Sequence, residues 1–346
     1  MRIEKKALAE INRCYAVARF DVKGTPTVFF ATEGEGICEA FDGPDFDRPR
    51  RVWDGPGGTM SIVPIPGRDG EFLAVQKFFK LFQWDQACIV WAKPKAGGGF
   101  EVRELLRLPY IHRFDIFASG EKLYVLACTL AESKETRDDW TKAGKIYVGE
   151  LADDWDKPLD LRVLKEGLFR NHGYARSAWK GRQCGLVTSD QGAFAVLPPD
   201  SAGADWTMEQ FMDWPISDIA ACDIDGDGEL EYATIEPWHG EYFRVWKKSG
   251  GAWEKVFEHP EVSEFYHVVV EGTLRGEPVF LGGCRRGSQH LFYLHATKKS
   301  PLSIEAVTIE NGVGPSNALI FQDGDRDIIV SANREIGQAA LYYVSD

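Results

Sequence analysis

One pattern recurs seven times along the chain of 346 residues. A short apolar strand leads through a tight polar turn into a second apolar strand, and a third strand rich in aromatics follows. The hairpins read AVARFDVKGTPTVFFA, SIVPIPGRDGEFLAVQ, HRFDIFASGEKLYVLA, YARSAWKGRQCGLVTS, IAACDIDGDGELEYATI, HVVVEGTLRGEPVFLGG and NALIFQDGDRDIIVSA. The third strands read GICEAF, ACIVWA, KIYVGEL, GAFAVL, YFRVWKK, LFYLHAT and AALYYV. Runs of Val, Ile, Phe and Tyr broken by Gly, Asp, Pro and Asn are the signature of strands and turns. A helical period is missing except for a short candidate at Glu132–Trp140. Units of roughly 35 to 60 residues match the blade of a propeller. The expectation is an all-β, seven-bladed β-propeller of four-stranded blades, filling 1–346 as a single domain. Its blades fall near 12–55, 56–108, 109–166, 170–213, 214–260, 261–311, and 312–346 plus 1–10.

The two ends fit together. Six units carry a candidate fourth strand, of which FEVRELL, DLRVLKE and SIEAVTI are the clearest, but the seventh stops after its third. The opening segment RIEKKALAEINR precedes the first inner strand and resembles SIEAVTIENGVG. It is expected to supply the missing outer strand of the last blade and so remove an open sheet edge.

Composition narrows the function. Acidic residues outnumber basic ones by 53 to 40, for a formal charge of -13, which argues against general binding of nucleic acid. Nothing approaches the apolar length of a membrane span, and MRIEKKALAEINR lacks the apolar core of a signal peptide. The seven cysteines are scattered singly in apolar runs, as buried thiols in a reducing compartment would be. A cytoplasmic protein without nucleic-acid or membrane partners is expected.

The segment DIDGDGELE closes the first hairpin of the fifth blade. Oxygen donors at alternate positions, with Gly for the sharp turn, suit a hard cation such as Ca2+. Asp223, Asp225, Asp227 and Glu231 would give carboxylates and Glu229 its carbonyl. The flanks are strands, so this is not an EF-hand. DxDGDGxxE between two short strands resembles the calcium loops of FG-GAP/VCBS-type β-propellers, and QDGDRD in the last blade resembles a shortened relative. The alternative is an Asp-Gly turn that binds no metal.

Antiparallel connectivity puts the loop leading into each inner strand and the loop joining second to third strands on one face of a propeller. His112, His172 and His267 stand at or near inner-strand starts, and His239 and His290 in second-to-third loops. Arg113, Tyr174, Glu236, Trp238, Arg285, Lys77 and Trp84 map to the same rim. A funnel of His, Arg and aromatic side chains suits a small polar ligand, a sugar derivative above all. Imidazole is suited to proton transfer near neutral pH, and arginine or a metal can stabilise an enolate. His112, His172, Arg113 and Tyr174 are the catalytic candidates. His239, His267, His290, Arg285, Glu236, Trp238, Lys77 and Trp84 are candidates for binding substrate or a Zn2+, Mn2+ or Mg2+ ion. The long loop at 131–144 is either a lid or a charged excursion.

In layout the chain resembles the propeller domain of aldos-2-ulose dehydratase/isomerase-type proteins, through HRFD around His112, NHGYAR around His172 and the DIDGDGELE loop. That resemblance implies a lyase, dehydratase or isomerase acting on a keto-sugar. No cupin-like segment follows the propeller. Oligogalacturonate lyases, which hold a metal with histidines, share the architecture. Two other readings stay open: a propeller that binds a sugar or a protein without catalysis, and a scaffold using its acidic rim.

Overall fold

The computed structural model describes residues 2–78, 83–154, 156–201 and 203–345. The chain is a seven-bladed β-propeller: its strands form seven four-stranded antiparallel sheets, six of them made of consecutive strands. The seventh takes Pro315–Asp323, Arg326–Asn333 and Gln338–Ser345, and is completed by the N-terminal strand Arg2–Glu10. The expected closure is present. Ile3 faces Val344 and Ala7 faces Ala340. Lys5 donates to Glu310 at 2.8 Å, and Ile3 packs on the core of the last two blades.

Each blade reads out the burial its residues demand. The second strand lies between two others and is buried almost throughout around an apolar centre, as in Glu277–Cys284 and Arg326–Asn333. A strand buried on both faces needs such a continuous run. The outer strands Asp160–Leu168 and Leu302–Glu310 are half-exposed and mix charged with apolar residues.

Two compact units can be distinguished, Met1–Val17 with Pro215–Asp346, and Ala18–Trp214. In the first, the core between the fifth and sixth blades is built on Phe243, Tyr266, Phe280 and Phe292. In the second, Phe117, Val148, Phe194 and Trp206 fill the space between the third and fourth blades.

The helix expected at Glu132–Trp140 is not formed. The segment is a loop hung from the bridge Ala131–Ala143, and its Asp139 carboxylate accepts from the backbone of Glu135 and Thr141. A side chain that satisfies the backbone locally competes with helix formation, and this segment has no apolar stripe to bury. Among the described residues the helical elements are the 3-10 turns Trp84–Gln86 and Arg334–Ile336. No helix among them is long and apolar enough to cross a membrane.

Candidate functional site

In the unit Met1–Val17 with Pro215–Asp346, the sixth blade's inner strand Tyr266–Leu274 carries His267 at its start. The ring is buried. Its Nδ1 lies 2.5 Å from the carbonyl oxygen of Ser316, an atom that can only accept, so Nδ1 holds a proton. In the neutral imidazole Nε2 is then the acceptor, and it faces the Tyr15 hydroxyl at 3.3 Å. Ser316 is itself fixed, its Oγ donating to the carbonyl of Cys14 at 2.9 Å. Asn317 ties the same segment through Tyr15's carbonyl at 2.9 Å.

His239 stands 5.7 Å from His267, ring centre to ring centre. It rests against Trp238 at 3.9 Å and Phe265 at 4.4 Å. Its φ of 46° lies in the left-handed region, sparsely populated by residues other than Gly. The backbone N–H of His239 is held by Ser217 Oγ at 3.1 Å. Arg285 is nearly buried, its guanidinium 4.7 Å over Phe265 and its Nε donating to Glu335 at 2.9 Å. A base of defined tautomer, a phenol, a second imidazole and a cation thus gather in one unit.

Two further candidates of this unit have other surroundings. Glu236 is buried, and its carboxylate accepts from Thr234 Oγ1 at 2.6 Å, Trp246 Nε1 at 2.8 Å and Arg244 at 2.8 Å. His290 is buried beside His259, their ring centres 5.0 Å apart. The Nδ1 of His259 meets the Tyr266 hydroxyl at 2.9 Å. Burial, and then the neighbouring His259, pushes His290 down from 6.5 to about 4. Burial also lowers His259. Both favour the neutral form in the folded chain, so their contribution is complete above pH 6.5 and is lost as pH falls toward 4. Denaturant unfolding followed between those limits should show about 2 kcal/mol of acid loss that a His290→Gln variant lacks. An equal slope in both proteins would sink the assignment.

In the unit Ala18–Trp214, His112 and His172 come together, both buried, with ring centres 4.5 Å apart. Phe78 lies 5.2 Å from His112 and stacks on Trp84 at 5.6 Å. The Lys134 ammonium lies over the Trp84 ring at 4.9 Å and also sits 3.2 Å from the centre of Trp140. Burial brings this amine down to about 8. Lys134 and Trp140 belong to the long loop, which therefore packs on the second blade.

Arg113 donates to the Met60 carbonyl at 3.2 Å, and Lys77 pairs with Glu104 at 2.7 Å. Lys77 also lines a cleft of about 520 Å³ with Glu35, Asp54 and Gln86. Tyr174 donates to Asp115 at 2.6 Å, and Arg176 holds the same carboxylate through Nε at 2.9 Å. Burial, then the Asp115 charge, raises the Tyr174 phenol well above its ordinary range.

The acidic turn of the fifth blade has the oxygen donors that its sequence promised. Carboxylate oxygens of Asp223, Asp225 and Asp227 lie within 4.8 Å of one another. Gly226 and Gly228 take φ of 76° and 93°, a conformation that suits glycine. Asp223 accepts from the N–H groups of Gly226, Asp227 and Gly228. Lys247, on the third strand Tyr242–Ser249, places its ammonium 2.7 Å from Asp225, Asp227 and Glu231 alike.

Tyr15 and His259 were not singled out in the sequence. Tyr15 had one usable signal: it opens the first inner strand, as His267 opens the sixth. His259 had none, since it follows an outer strand.

No family model and no curated protein matches the chain. Among solved structures, a luciferin-regenerating enzyme is similar with a TM-score of 0.51 and 10% identity, over 100% of this chain and 95% of that one. At that identity the likeness carries the fold alone.

Proposed function

We propose that the protein is an enzyme acting on a small polar carbonyl compound, a sugar derivative, with His267 as its base. The observation that supports this most is the fixed tautomer: Nδ1 is committed to the Ser316 carbonyl, leaving Nε2 to accept a proton. Nε2 takes the proton from the carbon next to the substrate carbonyl, and the electron pair moves onto the carbonyl oxygen as an enolate. The enolate then expels the hydroxyl of the next carbon. That group leaves as water with a proton from the Tyr15 phenol, and an α,β-unsaturated carbonyl results. Arg285 supplies positive charge close by, and Trp238 and Phe265 support His239 as a polar contact. The resemblance of HRFD, NHGYAR and DIDGDGELE to aldos-2-ulose dehydratase/isomerase-type proteins supports the keto-sugar class.

Imidazole nitrogens also suit Zn2+ or Mn2+, and a metal bound by His239 and His267 would supply Lewis-acid chemistry. All seven cysteines are unpaired, six of them buried, which favours work in a reducing compartment such as the cytoplasm. The acidic balance favours small-molecule partners over nucleic acid.

The test is a panel of 2-keto-hexoses and uronic-acid oligosaccharides, followed by the ultraviolet absorbance of the unsaturated product. His267→Gln should lower kcat about 100-fold or more, the usual contribution of a general base, in a variant that still folds. Full activity in that variant would overturn the role of His267. Binding of these sugars with no turnover by the unaltered protein would overturn catalysis and favour a sugar-binding propeller. Elemental analysis after gel filtration separates the metal-assisted form, through an equivalent of zinc or manganese, from plain acid–base chemistry.

A further inference from the structure

We propose that the Lys247 ammonium is the cation of the Asp223–Glu231 turn, which therefore keeps its shape without calcium. The inference is independent of the reading of His267. A bound calcium ion needs six to eight oxygens at about 2.3–2.6 Å, and the carboxylates of Asp223, Asp225, Asp227 and Glu231 already have partners. Asp223 gives both of its oxygens to backbone N–H groups, at 2.6 Å and 2.9 Å for the shorter bond to each. The other three carboxylates divide their oxygens. Asp227 Oδ1 accepts from the N–H of Glu229 at 2.9 Å, and Glu231 Oε2 from that of Ile224 at 2.9 Å. Asp225 Oδ1 accepts, at a longer 3.3 Å, from the N–H of Asp227. Their second oxygens, Asp225 Oδ2, Asp227 Oδ2 and Glu231 Oε1, converge on the one ammonium, each at 2.7 Å.

That point, inside the loop and equidistant from three carboxylates, is where a divalent ion would collect its charge. Calcium would have to expel a lysine whose side chain is only 19% exposed.

The last blade repeats this logic with different residues. In its shortened turn, Arg326 pairs with Asp323 at 2.6 Å. Asp327 accepts from the backbone N–H of Arg275 at 2.6 Å and from Gln322 at 3.0 Å. Each of these two acidic turns thus holds one basic side chain of its own among its carboxylates.

The test uses the whole protein and calcium chloride as the probe. After gel filtration in EDTA, the unaltered chain should take up no calcium by calorimetry, and its thermal midpoint should be the same in EDTA and in calcium. Lys247→Gln should bind one equivalent and gain several degrees as calcium rises, by mass action on the folded state. A variant that folds only when calcium is added would support the inference equally. An unaltered chain that binds an equivalent of calcium and is stabilised by it would overturn the proposal. So would a Lys247→Gln protein that folds yet takes up none. Should the variant fold under neither condition, the titration of the unaltered chain decides alone.

Discussion

Phe243→Ala should lower the unfolding free energy by about 3–5 kcal/mol, the usual loss for a fully buried aromatic. The ring comes from the third strand of the fifth blade and is completely buried. It meets Phe292 at 5.2 Å and Tyr266 at 5.8 Å in edge-on contacts, a geometry that adds to simple area burial. The neighbouring position is Gly282, where a Cβ would collide with Phe292 and come within 2.8 Å of Phe243. The glycine leaves room for the two rings, and alanine at 243 would open a cavity between Phe292 and Tyr266. Urea titrations of both proteins measure the difference. A loss under about 1 kcal/mol would mean that the surrounding side chains close the cavity.

Glu236→Ala should cost about 2–3 kcal/mol, and it separates a structural from a catalytic role for a residue placed on the expected binding rim. The carboxylate is buried and binds Arg244, Trp246 and Thr234 at once. Breaking a buried ion pair by removing one partner usually costs about 3–5 kcal/mol. Here Arg244 keeps Glu258 at 2.7 Å and is 23% exposed, which brings the figure down. The measurement is again denaturant unfolding, paired with sugar binding at fixed temperature. Unchanged stability together with lost binding would reverse the conclusion and return Glu236 to the ligand.

The architecture was legible because a propeller writes itself into sequence in two ways. Tight Gly-bearing turns punctuate every first hairpin, and the middle strands carry apolar residues on both faces. The unmatched strand RIEKKALAE could be assigned for the same reason, since a blade one strand short needs a partner. The segment at Glu132–Trp140 misled because charged residues at mixed spacing permit a helix without requiring one, and Asp139 decided for a loop.

At the candidate site, position was readable but partnership was not. His267 could be placed at a strand start, yet its character depends on a carbonyl from Ser316 and a phenol from Tyr15, the latter 252 positions away. The acidic turn was readable as an array of oxygens. Its counter-charge was not, because Lys247 lies on the following strand, at a register that only pairing fixes. Glu236 looked like a site residue because two of its partners, Trp246 and Arg244, come from the following strand.

Of the propeller's strands, Arg2–Glu10 leaves the ribosome before the others and its partner Gln338–Ser345 after them. At about 5–20 residues per second, a nascent chain needs on the order of 20–60 s to make the intervening length. For that whole interval the first strand has no sheet to join. Unpaired apolar strands invite aggregation, but RIEKKALAE carries five charges among nine residues and no apolar run longer than ALA. Its modest hydrophobicity is thus a tolerance for delay. An apolar residue in place of Lys5 would cost the finished seam its bond to Glu310 and make the growing chain a hazard to its neighbours on the same messenger.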